Sequence, residues 1–336
     1  MKRGCIAGLA LMWAASAQAQ TARPVTVDNY NRAESDTSLA AVAKRGAFGK
    51  LVPERELRAL ENQAVVRPNR DTLYSEGVFD LDAGPVTIAM PNAGKRFMSM
   101  QVVNQDNYTP AVYYGAGSRT LTRTQVGTRY MLILVRVLVD PNDSRDVEQV
   151  HALQDRVTVS QKSPGKFEVP DWDRDSLLEV RKALLILGKK VDSKRMFGKR
   201  GDVDPIHHLI GTAVGWGGNP EKDALYIATA PAKNDGTTIH RMTVPANVPV
   251  DGFWSISLYN AQGYFQKNDL NAYSLNNVTS KKNPDGSVTV QFGGCDGKVP
   301  NCLPIMEGWN YTVRLYRARP EVLSGKWRFP EAQPAS

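Results

Sequence analysis

Residues 130–139 read YMLILVRVLV, the longest apolar run downstream of the N-terminal segment. A membrane-spanning helix needs about 20 apolar residues; this run is strand-length and carries Arg136 in its middle. In strand alternation Arg136 shares a face with Leu132, Leu134 and Leu138, so its guanidinium points into an apolar layer. A buried guanidinium left unpaired costs several kcal/mol, so a carboxylate or a bound anion is expected to meet it. Asp71 and Asp106 lie in polar segments able to return to it.

Outward from this run, short β-rich stretches at 74–79, 86–89 and 96–103 are broken by turns at 84–85, 91–92 and 115–117, a pattern that predicts a sandwich. Helices are expected over 34–46, just after Pro53, and from 142–144 through Leu153. Strand returns at 156–161, and a turn at 163–165 closes the first domain. The segment from Ser176 has capping-box spacing with Glu179. Leu177, Val180, Leu184 and Leu187 then repeat at helical intervals up to Gly188. A basic linker over 189–200 follows. A second β region runs over 226–316, through 240–244, 253–258, 288–292 and 311–316. The expected division is 1–19 signal peptide, 20–64 helical lead-in, 65–165 first sandwich, 166–220 helical connector and 221–332 second sandwich.

The chain has 336 residues, 42% apolar and 23% charged, the composition of a globular protein with room for two domains. Lys2 and Arg3, an apolar run over 6–15 and Ala17-Gln18-Ala19 make a cleavable export signal, with cleavage after Ala19. Lys2 and Arg3 leave with it and no acid does, so the formal charge falls from +8 to +6, which favours anionic neighbours. The mature protein is expected to be soluble and periplasmic or secreted, without a transmembrane segment. Nucleic acid is not an expected partner, and exposed edges leave homo-oligomers open. Cys5 departs with the signal. Cys295 and Cys302 are expected to pair as a disulfide contributing roughly 2–3 kcal/mol.

Three phrases are more specific: VRPNRDTLY (66–74), DGFWSISLYN (251–260) and GWNYTVRLY (308–316), supported by GWGGNP (215–220). They resemble the signatures of a two-domain family whose halves are the domains of unknown function 1254 and 1214, over roughly 35–332. The resemblance implies a mainly β fold: an N-terminal immunoglobulin-like sandwich, a helical connector and a C-terminal jelly-roll-like sandwich. It implies no cofactor and no catalytic set.

Chemistry must therefore be sought in the residues themselves. No Gly-x-Ser-x-Gly occurs, and Ser163-Pro164-Gly165-Lys166 is a turn, whereas a Ser-x-x-Lys site needs a helix. His207 and His208 diverge on any regular element, so no metal is expected of them with Asp202 and Asp204. The polar loops at 69–74 and 104–108 are candidate site loops. If they share one end of the sandwich, Tyr74 and Tyr108 wall a pocket in which Arg70 and Arg136 hold an anion, with Asn69 and Asn104 alongside. Asp71 or Asp106 then serves as acid or base and Tyr74 as orienter. In the second region alternation sets Phe253, Ser255, Ser257 and Tyr259 opposite Trp254, Ile256 and Leu258, and Thr312, Arg314 and Tyr316 opposite Tyr311, Val313 and Leu315. Tyr259 and Arg314 thus belong to a polar patch suited to a glycan. Two functions are expected: an enzyme acting on a small anionic or polar molecule, or a non-catalytic ligand- or glycan-binding envelope protein.

Overall fold

The structure, a computed structural model, describes residues 22–57, 59–61, 63 and 66–335; the expected signal, 1–19, lies outside them. In chain order the first half comprises α1 (Tyr30–Lys44), β1 (Val52–Pro53), β2 (Thr72–Asp80), β3 (Val86–Met90), β4 (Met98–Asn104), β5 (Ala111–Tyr114), β6 (Gly117–Leu121), α2 (Arg123–Val126), β7 (Tyr130–Leu138), α3 (Ser144–Asp155) and β8 (Thr158–Ser160). Then come α4 (Arg174–Gly188) and α5 (Pro205–Gly215). The second half comprises β9 (Ala224–Thr229), β10 (His240–Val244), β11 (Trp254–Tyr259), β12 (Ser274–Asn276), β13 (Val288–Phe292), β14 (Cys302–Leu303), β15 (Asn310–Tyr316), α6 (Pro320–Leu323) and β16 (Gln333–Pro334). The fold is mainly β and sandwich-like.

A five-stranded sheet, β1-β2-β7-β4-β5, faces a three-stranded one, β6-β3-β8. The odd-numbered residues of β7, Met131, Ile133, Val135 and Val137, point into the core between them, with Met100, Val102, Ile88 and Phe79. Each such fully buried apolar side chain contributes roughly 1.5–3 kcal/mol of transfer free energy. In the second half β12-β11-β15-β9 packs on β14-β13-β10-β16. The expected inward set, Trp254, Ile256, Leu258, Tyr311, Val313 and Leu315, fills that core with Val290 and Phe292. Cys295 and Cys302 form the expected disulfide.

Three helix readings are corrected. α1 begins at Tyr30, because Tyr30 and Ala33 bury their side chains in a cluster with Leu177 and Leu184 of α4 and Ile210 of α5. Asp36, expected near the helix start, instead lies inside it as a buried acceptor for Gln105 Nε2 (2.7 Å) and Trp172 Nε1 (3.0 Å). After Pro53 no described residue up to 63 is helical. The chain there continues the sheet, with Glu54 N–H donating to Tyr74 O at 2.8 Å. α4 is capped by Asp173, which accepts from Ser176 N, while Ser176 Oγ accepts from Val25 N–H. The caps of α3 (Asp143) and α5 (Asp204) are side-chain acceptors.

The remaining face of each large sheet positions the candidate site. The even-numbered residues of β7 point away from the first core. Leu132 and Leu134 there pack with Leu39 and Val42 of α1. Leu138 joins Phe97, Ala224, Phe253 and Tyr316 in a cluster that ties the two halves together. Phe253 stacks on Tyr316 at 4.1 Å between ring centroids.

Candidate functional site

Register decides which polar side chains meet. Tyr74 of β2 and Ser99 of β4 flank Arg136 of β7 across the sheet. Arg136 is 5% exposed. Its Nη1 donates to Gln101 Oε1 at 2.6 Å and its Nη2 lies 3.5 Å from Gly217 O. Its guanidinium carbon lies 5.4 Å from the centre of the Tyr74 ring. Gln101 is oriented by donating its own amide to Thr109 Oγ1 (3.0 Å) and Gly218 O (2.8 Å). Among the described residues no carboxylate is bonded to Arg136. Burial pushes its pKa down, but the oxygens of Tyr74, Tyr226 and Tyr316 outweigh this and raise it, so the group stays cationic.

Asparagine amides fix those phenols. Asn69 Nδ2 donates to the hydroxyls of Tyr74 and Tyr316, each at 3.1 Å, and its Oδ1 accepts from Asp71 N–H at 2.8 Å. Asn219 Nδ2 donates to Tyr226 OH at 3.0 Å. Tyr226 and Tyr316 therefore act as acceptors towards asparagine. Burial raises the pKa of Tyr316 well above its ordinary value, which keeps it protonated. Asn69, Tyr74 and Tyr226 are half-buried.

The second arginine is differently placed. Arg314 Nη1 donates to Ser257 Oγ (2.8 Å), and Nη2 to Tyr259 OH (2.7 Å), Arg67 O (2.9 Å) and Pro68 O (3.3 Å). Tyr259 OH donates to Pro68 O at 2.7 Å. Asp71 is 1% exposed; its Oδ1 accepts from Asn276 Nδ2 at 3.2 Å and its Oδ2 is buried. Burial raises the Asp71 pKa, partly opposed by the Arg314 charge and by hydrogen bonds from Ser255 and Asn276. The segment around 67–71 thus crosses from the first half and satisfies the polar face of β11 and β15. All four phrases singled out in the sequence converge on this seam.

The expected single pocket is not formed. Thr72 pairs with Leu138 at one end of β7, whereas Asn104 pairs with Met131 at the other. That separation is seven residues, about 24 Å at strand rise. Neither Asp71 nor Asp106 is the hydrogen-bonded partner of Arg136. Asp106 pairs with Arg32 at 2.7 Å. Asn104 Oδ1 accepts from Asp106 N–H and Tyr108 N–H, each at 3.0 Å, holding its own turn. Tyr108 stacks on His208 at 4.3 Å. Arg70 also leaves the Arg136 end and stands over Tyr273 (5.4 Å) and Phe265 (6.0 Å). His207 Nδ1 lies 2.8 Å from Lys194 O, and the ring nitrogens of His208 lie 2.9 Å from Met196 O and Asp106 O.

Sequence reasoning overlooked Gln101, Asn219, Tyr226 and Asn276. Gln101 had a signal: with Ser99 it is polar on one face of an otherwise apolar strand. The others depend on how the two halves dock.

Residues 48–120 match the family model described as protein of unknown function DUF1254, and 224–320 the one described as protein of unknown function DUF1214. Among solved structures, the chain is similar to the VPA0106 protein from Vibrio parahaemolyticus, at 19% identity and a TM-score of 0.68, over 92% of this chain and 98% of that one. It is also similar to an uncharacterised protein from Burkholderia cenocepacia, at 12% identity and a TM-score of 0.50, over 91% and 86%. No curated protein matches. At these identities the structural likenesses show the fold alone. The chain carries the DUF1254 and DUF1214 regions in one polypeptide, in the order the sequence motifs suggested.

Proposed function

We propose that this polypeptide, in which a DUF1254 and a DUF1214 region share one seam, recognises a small anionic molecule there, with Arg136 as the charge that holds it. The supporting observation is that, among the described residues, Arg136 is buried and its hydrogen-bond partners are neutral. A buried guanidinium without a counter-charge costs several kcal/mol, and an anion entering its site offsets that cost. Tyr226 and Tyr316 add O–H donors beside it, so the group of side chains is rich in donors and its acceptors are already engaged.

Turnover of the bound molecule by general acid/base chemistry is the second reading, favoured by the raised pKa of Asp71, since perturbed carboxyls cluster at functional sites. Asp71 is itself buried, and Tyr74 stands beside Arg136, its hydroxyl accepting from Asn69. A glycan on the polar face of β11 and β15 has less support, because Arg314, Ser257 and Tyr259 bond one another and the carbonyls of Arg67 and Pro68. The disulfide and the expected signal together support an oxidising compartment outside the cytoplasm. No described helix is long and apolar enough to cross a membrane.

Calorimetric titration of the protein with a panel of small anions tests this reading. Binding by at least one anion, weakened 100-fold or more in Arg136→Met, is expected, as for loss of a buried charge-assisted contact. An anion that binds equally well to folded Arg136→Met would sink it.

A further inference from the structure

We infer that the C-terminal end of α4 and the basic linker after it dock on the surface of an anionic phospholipid bilayer. Residues 182–200 hold seven lysines and arginines against one acid, Asp192, so this stretch carries a formal +6 of the chain's +8. All seven are exposed. Among the described residues none of the seven is ion-paired, whereas Arg181, one position earlier, is held by Glu34. The linker is fastened to the helices on either side. Met196 is buried where Gly211 of α5 leaves room for it. Arg195 N–H donates to Glu221 Oε1 at 2.7 Å, and Asp204 N–H to Arg195 O at 3.0 Å.

Charge alone would describe a solvated face; the apolar side chains set among these charges do not. α4 buries Leu177 and Leu184 in a cluster with Tyr30, Ala33 and Ile210. On its other side Lys182, Ile186, Lys189 and Lys190 fall at i, i+4, i+7 and i+8, one stripe of a helix. Ile186 is 59% exposed and its neighbour Leu187 53%. Gly188 has no side chain, which lets Ile210 and Val214 of α5 lie against it. Ile206, one helical turn before Ile210, is 68% exposed. The next residue, His207, places its Nδ1 2.8 Å from Lys194 O, so this end of α5 adjoins the basic linker. The acids of α4, Asp175 and Glu179, lie in its first half, away from this end.

Exposed aliphatic groups interleaved with lysines suit a lipid surface. The apolar tips enter the headgroup boundary, while the lysine stems lie along it and bring their ammonium groups to the phosphates. Each Lys or Arg brought to an anionic leaflet strengthens binding about fivefold. A protein partner fits this face less well, because protein interfaces are poor in lysine. A second copy of the chain would set like charges against each other. α4 is 15 residues long and no described helix can cross a membrane, so it lies on the bilayer.

The test is flotation of the chain from residue 20 onwards, which contains every described element, with vesicles of phosphatidylcholine alone or mixed with phosphatidylglycerol. Mixed vesicles are expected to bind about tenfold or more tightly than the neutral ones, and less in high salt. Lys189→Glu with Lys190→Glu should weaken that binding about 20-fold or more, since two charges are reversed. Ile186→Ser with Leu187→Ser should weaken it about fivefold. All four side chains are exposed, so both variants keep the fold, which a thermal melt checks. Equal binding to neutral vesicles, or binding that ignores the glutamate pair, would overturn the inference. Binding that ignores only the serine pair would overturn the docking of the apolar groups. If the chain leaves both vesicles free but binds poly-glutamate through Lys189 and Lys190, the face belongs to an acidic protein and the bilayer assignment falls.

Discussion

The two ends of the β2–β7 strand pair each carry one buried carboxylate and one arginine, and they treat the same chemistry in opposite ways. At one end Asp80, 2% exposed, accepts from Arg129 Nε (3.1 Å) and Nη2 (2.9 Å), Lys166 N–H (3.2 Å) and Asp82 N–H (3.0 Å). Burial works against its ionised form, but these donors prevail and lower its pKa. At the other end Asp71 and Arg136 do not bond each other. Asp71 turns to Asn276, and Arg136 keeps neutral partners. There burial prevails and the Asp71 pKa rises. Burial alone therefore does not decide ionisation; the number and charge of donors do. The first end is a closed structural ion pair, whereas at the second no described carboxylate bonds the arginine.

The largest effect should come from breaking the closed end. Asp80→Ala removes the most buried acceptor of Arg129, leaves two backbone N–H groups without theirs and is expected to cost about 3 kcal/mol, read by chemical denaturation at pH 7. Because the folded-state pKa of Asp80 is depressed, its contribution is present above the unfolded value near 4 and is lost as pH falls through the lower folded value. The gap between Asp80→Ala and the parent protein should accordingly narrow below about pH 4.

An intermediate effect is expected at the open end. Arg136→Met removes a buried charge that no described carboxylate bonds, so stability should stay within about 1 kcal/mol of the parent or rise. A loss of about 3 kcal/mol or more there would mean that Arg136 is as structural as Arg129, and the contrast between the two ends would fail.

Asp71→Asn should have the smallest effect, and one of opposite sign. A carboxyl with a raised folded pKa loses stability as pH climbs from the unfolded value near 4 to the folded one, and the penalty persists above it. Asn cannot ionise, so the variant should gain about 1 kcal/mol over the parent at pH 7 and show a flatter pH profile above pH 4. A loss of stability confined to pH above 4 would instead show that the ionised Asp71 supports Arg314.

Much of this arrangement could be read from local pattern. Alternation assigned Arg136 to the face of Leu132, Leu134 and Leu138, and it separated Ser255, Ser257 and Tyr259 from Trp254, Ile256 and Leu258. It did so because neighbouring side chains on a strand must point to opposite faces whatever the strand pairs with. The disulfide was legible from the pair of cysteines downstream of the expected signal, and the two-region family from long motifs. Helix starts were less legible, since Tyr30 and Ala33 extend α1 through contacts with α4 and α5.

By itself, then, the sequence determined the β character, the faces of individual strands, the cysteine pair and the segments rich in polar groups. Only the tertiary structure decided which of those segments meet. Register set the 104–108 loop at the opposite end of β7 from Asp71, and docking of the halves gave Arg314 the carbonyls of Arg67 and Pro68 and surrounded Arg136 with phenols from both. The physical reason is that alternation acts over two residues of one chain, whereas register and docking are settled by burial summed over strands far apart in sequence.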